Sequence, residues 1–297
     1  MLKVNHYSNV LPGLKNLSPI VLNLSRSLNQ QGNKSKILST INDNSFSDVN
    51  FYHFGGIRSY LKFLKYKSKS VLNIPVFHGT DLHGFSKDLG FVNKLKVKAN
   101  FFFNLRLIKK SDFFFIVSNS LLKYVPDRYK HKAYIINLGV DLIPINNVKS
   151  LNIIKKKKVV AFVNNNSRGL KNSKLAYDYC LKNNLILKEL KGLKYDDFLK
   201  KLAECEFLLI TSFAEGSPNV LKESILLGVN PITVSVGDCN QIVNRFGGKI
   251  IDFNSNLIKE CHADIKYSFE DYLSMKKANN ILIDVIKINL NLNMNNE

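Results

Sequence analysis

Short apolar runs alternate with amphipathic helical patterns along most of the chain. In the first half, strands are predicted near 2–6, 34–39, 49–54, 74–78, 112–118 and 133–139, and helices near 18–31, 57–67 and 91–110. Strands that alternate with helices are typical of α/β proteins with parallel sheets. The first half is therefore predicted to form an α/β domain.

The alternation stops at a charged segment and then restarts. Residues 149–158, KSLNIIKKKK, have no sheet pattern. Beyond them, strands are predicted near 158–163, 185–190, 206–210 and 231–235, and helices near 171–183, 195–204 and 218–228. We therefore predict two Rossmann-like domains, at 1–148 and 149–268, joined near 145–157. A C-terminal helix over 269–289 and a frayed tail over 290–297 complete the prediction.

Composition narrows the class of protein. The 297 residues are 45% hydrophobic, which is enough to bury a full core. No stretch approaches the roughly 20 apolar residues of a spanning helix, and the first residues lack a signal-peptide pattern. We therefore expect a cytoplasmic protein, with peripheral attachment to the inner face of the membrane as an alternative. The four cysteines include no C-x-x-C pair, so neither a zinc site nor a disulfide framework is predicted.

The net charge of +20 leaves several partners open. Nucleic acid, an anionic membrane surface and anionic small molecules all gain from a positive field. The segment 93–115 interleaves basic and aromatic side chains, so it could lie on a membrane or stack on single-stranded bases. A third interpretation is that Leu95, Phe102 and Leu105, at helical spacing, form a core face.

Common phosphate-binding motifs are missing from the sequence. There is no G-x-G, and residues 79–86, GTDLHGFS, have Phe85 where a Walker motif requires lysine. There is also no Asp-x-Asp, a common means of holding a divalent metal against a diphosphate. We therefore predict a site without metal or other cofactor.

The stretch 212–224, SFAEGSPNVLKES, places Glu215 and Glu223 around a Gly-Ser-Pro turn. We predict a helix with Pro218 at its first position and Ser217 as its N-cap. The N–H groups of Ser217, Asn219 and Val220 would then point out of the helix start, where the dipole favours an anion.

Both carboxylates of this turn can face one ligand. Glu223 lies about 7–8 Å along the helix axis from Pro218, and its side chain leans back toward the N-terminus. Gly216 allows a ligand to approach the backbone beside Glu215. The alternative is that the two acids only cap and solvate an ordinary strand-to-helix connection.

Residues 211–238, TSFAEGSPNVLKESILLGVNPITVSVGD, resemble the donor-binding signature of retaining glycosyltransferases of family 4. The shared pattern is E-G-x-P-x-x-x-x-E, followed by Gly, x, Pro and a strand that leads to a glycine-containing loop. Weaker similarity extends to 111–120, 135–141, 159–172 and 195–212. The resemblance implies a GT-B fold, in which two Rossmann-like domains face each other across a cleft, with the C-terminal helix packing back on the N-terminal domain.

The resemblance also implies roles for the residues of the second domain. Glu223 would accept both ribose hydroxyls of a nucleotide, and Glu215 would contact the transferred sugar near its reacting carbon. The turn formed by Gly216, Ser217, Pro218, Asn219 and Val220 would meet the sugar and the diphosphate with its amides. Arg168 and Lys171 would neutralise the leaving nucleoside diphosphate.

In the first domain the resemblance is weaker. His78, at the end of a strand, would face the sugar, although a strand-end histidine can equally be structural and its imidazole could be neutral or charged. Gly13 would stand for a glycine-rich loop against the diphosphate. Three departures bear on activity: the single glycine at Gly13, Leu138 in place of the usual Asn, and the short spacing between Arg168 and Lys171.

The sequence thus predicts a metal-independent hexosyltransferase. It would move a sugar from a nucleoside-diphosphate sugar to a hydroxyl of a glycan or lipid-linked acceptor, as in cell-surface polysaccharide biosynthesis. An anionic membrane surface is a further predicted partner, whereas nucleic acid is disfavoured. Two alternatives are a basic membrane- or nucleic-acid-binding module with a degenerate GT-B fold, and a sugar epimerase of the same fold.

Overall fold

The computed structural model of the protein describes residues 1–8, 19–38, 46–83, 91–164, 170–263, 268 and 273–294. Contacts divide the chain into two compact units, of which the first comprises Met1–Leu138 and Met275–Glu297 and the second Gly139–Ser274. Two predicted site residues, Gly13 and Arg168, lie outside the described residues.

The first unit is built on a six-stranded parallel sheet. Its strands are β1 Lys3–Tyr7, β2 Lys34–Leu38, β3 Ser47–His53, β4 Ser70–Phe77, β5 Phe114–Ile116 and β6 Ala133–Ile135. Their order is β2-β1-β3-β4-β5-β6, and all neighbours pair in parallel. The central strands are almost entirely buried, although they include polar side chains such as Asn50 and His53, because helices cover both sides of such a sheet. The strand order reverses between β1 and β3, where ligands of open α/β sheets commonly bind.

Up to Leu138, the first unit contains the helices α1 Pro19–Gln30, α2 Gly56–Tyr66, α3 Thr80–His83, α4 Phe91–Lys110 and α5 Asp127–Lys130. Short 3₁₀ segments occur at Lys67–Lys69 and Asn119–Tyr124. The core is aromatic-rich and includes Phe51, Phe77, Phe114 and Phe115. These elements agree with the predicted alternation to within a few residues.

The orientation of α4 corrects the predicted core face. Leu95 and Phe102 are 51% and 50% exposed, and Leu105 is only partly buried. Asn104 is buried instead, because its Oδ1 accepts the Gly56 N–H and its Nδ2 donates to the Asp81 carbonyl at 2.5 Å. These bonds fix which side of α4 faces the unit, so Leu95 and Phe102 remain exposed.

The second unit is also built on a six-stranded sheet. Its strands are β7 Lys156–Val163, β8 Ile186–Leu190, β9 Cys205–Ile210, β10 Asn230–Val234, β11 Gly247–Ile251 and β12 Leu257–Ala263. The order is β12-β11-β10-β9-β7-β8, with only β12 antiparallel to its neighbour. The strand order reverses between β7 and β9. The last two strands were not predicted, because β11 begins with two glycines and β12 is an exposed edge strand.

The helices of the second unit are α6 Leu142–Lys149, α7 Ser173–Lys182, α8 Tyr195–Ala203, α9 Asn219–Leu226 and α10 Cys239–Phe246. Helix α6 falls where the first domain was predicted to end, but Ile145 and Val148 are buried in the core of the second unit. The division therefore lies between Leu138 and Gly139 rather than after residue 148.

The C-terminal helix, α11 Met275–Met294, belongs to the first unit. Met275, Ala278, Leu282 and Ile286 recur on one face of the helix and enter the core of that unit. Gln31, just after α1, donates a hydrogen bond to Asn280 at 2.8 Å. The predicted start at 269 lies outside the described residues, and the helix continues past the predicted end at 289 to Met294.

Two further findings concern the described residues as a whole. None of their helices combines the length and the apolar character needed to cross a bilayer. All four cysteines are buried and free.

Candidate functional site

A pocket lies at the carboxyl ends of β7 and β9, where the strand order of the second sheet reverses. Its lining residues are Phe162, Val163, Lys171, Leu208, Leu209, Ile210, Ser212, Glu215 and Val220. Ligands of open α/β sheets bind at such reversal points because the loops diverge there and leave a crevice. The pocket is therefore the candidate functional site of this unit.

Lys171 and Glu215 form an ion pair in this pocket. The distance from Lys171 Nζ to Glu215 Oε1 is 2.6 Å, and the two side chains are 23% and 16% exposed. Ser212 Oγ donates to the same carboxylate oxygen at 2.7 Å. Because the pair is largely shielded from water, salt screens it less than a surface ion pair. The structure thus brings together two predicted site residues that are far apart in the sequence.

The loop that carries Lys171 is tied to the end of β9. Thr211 Oγ1 donates to the carbonyls of Lys171 and Asn172 at 2.7 and 3.1 Å. The Phe213 N–H donates to the Leu170 carbonyl at 2.9 Å. These bonds join the loops after β7 and β9, so they set the position of Lys171 relative to Glu215.

The start of α9 differs from the prediction by one residue. The helix begins at Asn219, and the N-cap is Pro218, which has no side-chain capping bond. Ser217 therefore precedes the N-cap, and its hydroxyl donates to Asp238 Oδ2 at 2.5 Å. The N–H groups of Asn219 and Val220 still lie in the first turn, where helices have no internal acceptors.

The loop of Gly216 contacts the loop of Gly237 beside the start of α9. The Gly216 carbonyl accepts the Asp238 N–H at 3.1 Å. Gly237 has a φ of 56°, and a Cβ there would lie 2.3 Å from the Gly216 oxygen, so only glycine fits. Within the described part of the chain, Asn219 Oδ1 and Asp238 Oδ1 are buried without a hydrogen-bond partner. Both atoms are acceptors, so they have unused capacity for a hydroxyl or N–H donor.

Glu223 lies in a more buried environment than Glu215. It is 4% exposed, and its Oε1 accepts a hydrogen bond from the Tyr195 hydroxyl at 2.8 Å. Burial raises the pKa of Glu223 to about 7, although the Tyr195 hydrogen bond and the nearby Lys222 act in the opposite direction. Lys222 is also buried, and burial lowers its pKa. Glu223 therefore changes its charge near neutral pH.

His78 lies in the first unit, directly after β4. Its Nε2 is 3.0 Å from His53 Nδ1, and the Phe54 ring stacks on it with centroids 4.3 Å apart. The His78 N–H donates to the Asp81 carboxylate at 2.9 Å. Burial lowers the pKa of His78 to about 3, so the imidazole is neutral at pH 7. The role of His78 toward a sugar stays a prediction, as do those of Gly13 and Arg168, which lie outside the described residues.

Several residues of these sites were not singled out from the sequence. Ser212 and Asp238 lie within the matched stretch 211–238 and could have been found from it. Tyr195 is the first residue of the weaker match over 195–212. No sequence signal connects His53 to His78, because their contact depends on strand order.

A metal site requires several ligand side chains close together. Among the residues that the structure describes, no three His, Cys, Asp or Glu side chains are grouped so that they could hold a metal ion.

Comparison with known proteins identifies the fold. No family model and no curated protein matches the chain. The solved structure of AviGT4, a glycosyltransferase involved in avilamycin A biosynthesis, superposes with a TM-score of 0.64 at 12% identity, over 98% of each chain. Anabaena HepE, in complex with UDP and glucose, gives 0.62 at 11% identity, over 97% of this chain and 100% of that chain.

A third neighbour is sucrose-phosphate synthase from Thermosynechococcus elongatus, with a TM-score of 0.61 at 11% identity, over 86% of this chain and 88% of that chain. Likeness at these identities establishes the fold. The predicted fold class is confirmed: the chain is an α/β protein of the GT-B type, with two Rossmann-like units.

Proposed function

We propose that the protein is a retaining glycosyltransferase of family 4. It transfers a hexose-type sugar from a nucleoside-diphosphate sugar to a hydroxyl of a glycan or lipid-linked acceptor. The observation that carries the proposal is the Lys171–Glu215 ion pair in a pocket where the second sheet reverses its order. The fold neighbours support it, since AviGT4 is a glycosyltransferase and HepE was solved with UDP and glucose.

The ion pair matches the charges that develop during glycosyl transfer. As the bond between the anomeric carbon and the phosphate oxygen breaks, the sugar becomes positive and the diphosphate becomes more negative. Lys171 stabilises the leaving diphosphate, and Glu215 stabilises the cationic sugar beside it. Glu215 acts as an electrostatic partner in this proposal and does not attack the sugar.

The helix start and Glu223 would bind the rest of the donor. The first-turn N–H groups of Asn219 and Val220 suit a diphosphate, because they lack internal acceptors and lie at the positive end of the helix dipole. Glu223 would accept the ribose hydroxyls. A carboxylate offers about four lone-pair sites, so the bond from Tyr195 leaves acceptor capacity for them.

Retention of configuration needs no protein base in this scheme. The acceptor oxygen attacks the face that the leaving phosphate vacates, and its proton passes to a phosphate oxygen of the departing diphosphate. The electron pair of the broken bond stays on that diphosphate. Because Lys171 supplies positive charge at the leaving group, we propose that the reaction needs no metal ion.

An exposed apolar and basic face supports a membrane-associated acceptor. Helix α2 exposes Ile57, Leu61 and Leu64, and helix α4, which packs against it, exposes Phe102. The Arg106 guanidinium lies 4.5 Å above the Phe102 ring. Apolar side chains surrounded by basic ones insert into the surface of anionic membranes. We name this set, Ile57, Leu61, Leu64, Phe102 and Arg106, the α2–α4 face and propose that it contacts such a membrane.

The proposal is tested by donor binding and by product analysis. Thermal shifts of the full chain with UDP-, GDP- and ADP-sugars should show stabilisation by at least one donor, which Glu223→Ala should abolish. Product formed from that donor should keep the anomeric configuration by NMR, with the same rate in EDTA as in Mg²⁺.

Three results would contradict it. Absence of any shift, together with salt-sensitive oligonucleotide binding, would favour a binding module. Product formed without an acceptor would favour an epimerase. Dependence of the rate on added metal would overturn metal independence.

A further inference from the structure

The positive charge of the chain is concentrated in the first unit. Met1–Leu138 and Met275–Glu297 together contain 24 Lys and Arg against 8 Asp and Glu, a net charge of +16, whereas Gly139–Ser274 contains 19 against 15, a net charge of +4. The first glutamate of the chain is Glu189, in the second unit. A general excess of lysine would charge both units alike. The uneven charge therefore favours an anionic ligand or surface for the first unit.

Lys62, on α2, is a half-buried lysine of this unit. Its Nζ donates a hydrogen bond to the carbonyl of Ser8, directly after β1. Burial lowers the pKa of Lys62, and the positive charge of Arg58 lowers it further. Neither Lys62 nor Arg58 forms an ion pair with an acid among the residues that the structure describes. A half-buried ammonium group without an anionic partner is costly, so a bound anion would stabilise it.

Arg58 and Lys62 share one side of α2, because they are four positions apart. Each directly follows an apolar residue of the α2–α4 face, Ile57 or Leu61, so this basic side lies about 100° around the helix from that face. Ser59 Oγ donates to the His53 carbonyl at 2.8 Å and ties the start of α2 to the end of β3. The basic side of α2 is therefore distinct from the proposed membrane contact.

Ser8 adds a hydroxyl group at the same place. It is 2% exposed, and its Oγ has no hydrogen-bond partner in the described part of the chain. The strand order of the first sheet reverses between β1 and β3, and α2 follows β3, so Ser8 and Lys62 lie where ligands of open α/β sheets bind. No Asp or Glu precedes Asp43, so the residues that follow Ser8 directly supply no competing carboxylate. We name Ser8, Arg58 and Lys62 the β1 site.

We propose that the β1 site binds a phosphate group, and that the acceptor of the transferase is a phosphorylated glycan or a lipid phosphate that carries a sugar. Phosphate suits these residues, because a guanidinium donates two parallel N–H bonds, an ammonium adds a point charge and a hydroxyl donates to a further oxygen. The diphosphate of the donor is assigned to the second unit, which leaves the β1 site for the acceptor. The class of acceptor rests on the proposed function, whereas phosphate binding by the β1 site does not.

Calorimetric titration of the full chain tests the site with two phosphate probes at constant ionic strength. The probes are glucose 6-phosphate and farnesyl phosphate, with glucose and farnesol as their neutral controls. Tighter binding of farnesyl phosphate would support a lipid-linked acceptor, and tighter binding of glucose 6-phosphate would support a phosphorylated glycan. Absence of binding by both phosphates, or equal binding of the neutral controls, would overturn the proposal.

Lys62→Met should weaken binding of the preferred phosphate probe about tenfold, the effect of losing one charged hydrogen bond. Lys62→Arg, which keeps the charge, should restore most of the affinity. Arg58→Met, at an exposed residue, should weaken binding as well and serves as a second variant if Lys62→Met does not fold. Lys67→Met removes the same charge from an exposed position after the end of α2 and should bind like the wild type. Wild-type affinity in both the Lys62→Met and Arg58→Met proteins would refute the β1 site.

Acetylation of lysines locates the bound phosphate in the unmodified sequence. The full chain is treated briefly with acetic anhydride, and the extent of acetylation at each lysine is measured by mass spectrometry of its peptides. The preferred phosphate probe should slow acetylation of Lys62 several-fold and leave that of Lys67 unchanged. Protection of Lys171 in the second unit, without protection of Lys62, would contradict the proposal.

UDP separates the acceptor from the donor. Because the donor is assigned to the second unit, Lys62→Met should bind UDP as the wild type does. A loss of UDP affinity equal to the loss of phosphate-probe affinity would place the donor diphosphate in the β1 site and overturn the assignment to the acceptor. Phosphate binding that depends on Lys62, in a protein without any transferase activity, would leave the β1 site standing and refute the proposed function alone.

Discussion

At the scale of single residues, burial has the largest effect on the pKa of Glu223. In water its carboxyl group would be ionised at neutral pH, but burial raises its pKa to about 7. The hydrogen bond from Tyr195 and the charge of Lys222 act on its pKa in the opposite direction. Binding of ribose hydroxyls requires the ionised form as acceptor, so pH and donor binding should be linked.

We predict that the donor binds more tightly as the pH rises through about 7, because Glu223 then loses its proton. Calorimetric titration of the donor between about pH 6 and 8 measures this effect. Glu223→Gln should bind at least tenfold more weakly at high pH and should lose this pH dependence. Glu260→Gln, which alters an exposed acid of β12, is the control and should behave like the wild type. Weakening of binding with rising pH would contradict the assignment of Glu223.

Lys171 should act mainly on the chemical step. Lys171→Met keeps the aliphatic stem and removes the charge, so kcat should fall about 100-fold, which corresponds to about 3 kcal/mol of lost transition-state stabilisation. Steady-state kinetics with the identified donor measure it. Lys174→Met, three positions later on an exposed surface of α7, should have no effect. Equal kinetics in the two variants would rule out Lys171 as the diphosphate partner.

At the scale of elements, apolar periodicity located the main strands and helices to within a few residues. It failed where an element is short or lacks a strong pattern. Helix α6 lies in a segment interpreted as a linker, although Ile145 and Val148 anchor it in the second core. On α4, periodicity assigned Phe102 to the core, whereas the buried Asn104 decides the orientation through its hydrogen bonds. A polar residue that anchors a helix is invisible to a hydrophobic pattern.

The exposed α2–α4 face should bind anionic vesicles. The double change Leu61→Ser and Phe102→Ser should reduce binding to phosphatidylglycerol vesicles more than tenfold, since each buried apolar side chain contributes about 1.5–3 kcal/mol. Co-sedimentation at two salt concentrations measures it, and phosphatidylcholine vesicles should bind weakly throughout. Leu181→Ser, at an exposed leucine of α7, is the matched control. Equal binding by the double variant would refute the membrane contact.

At the scale of the whole molecule, the chain leaves the first unit after Leu138 and returns to it at Met275. The return places α11 in the first core, where Leu282 is 1% exposed, whereas Ile288 on the same helix is 58% exposed. The first unit is therefore completed by residues from both ends of the sequence.

Loss of Leu282 should destabilise the first unit selectively. Leu282→Ala should cost about 2–5 kcal/mol through lost burial and a residual cavity, and Ile288→Ala should cost less than about 0.5 kcal/mol. Hydrogen exchange followed by mass spectrometry should show faster exchange in α1 and β1, with β9 and β10 unchanged. Equal acceleration in both units would show that they unfold together.

The sequence by itself determined the α/β class, most element positions and the glutamate turn, because periodicity and turn chemistry are local properties of neighbouring residues. Only the tertiary structure decided the Lys171–Glu215 contact, the burial of Glu223 against Tyr195 and the contact between His6 and His53, whose partners are 44, 28 and 47 positions apart. Such contacts depend on strand order and loop packing, which no local pattern encodes.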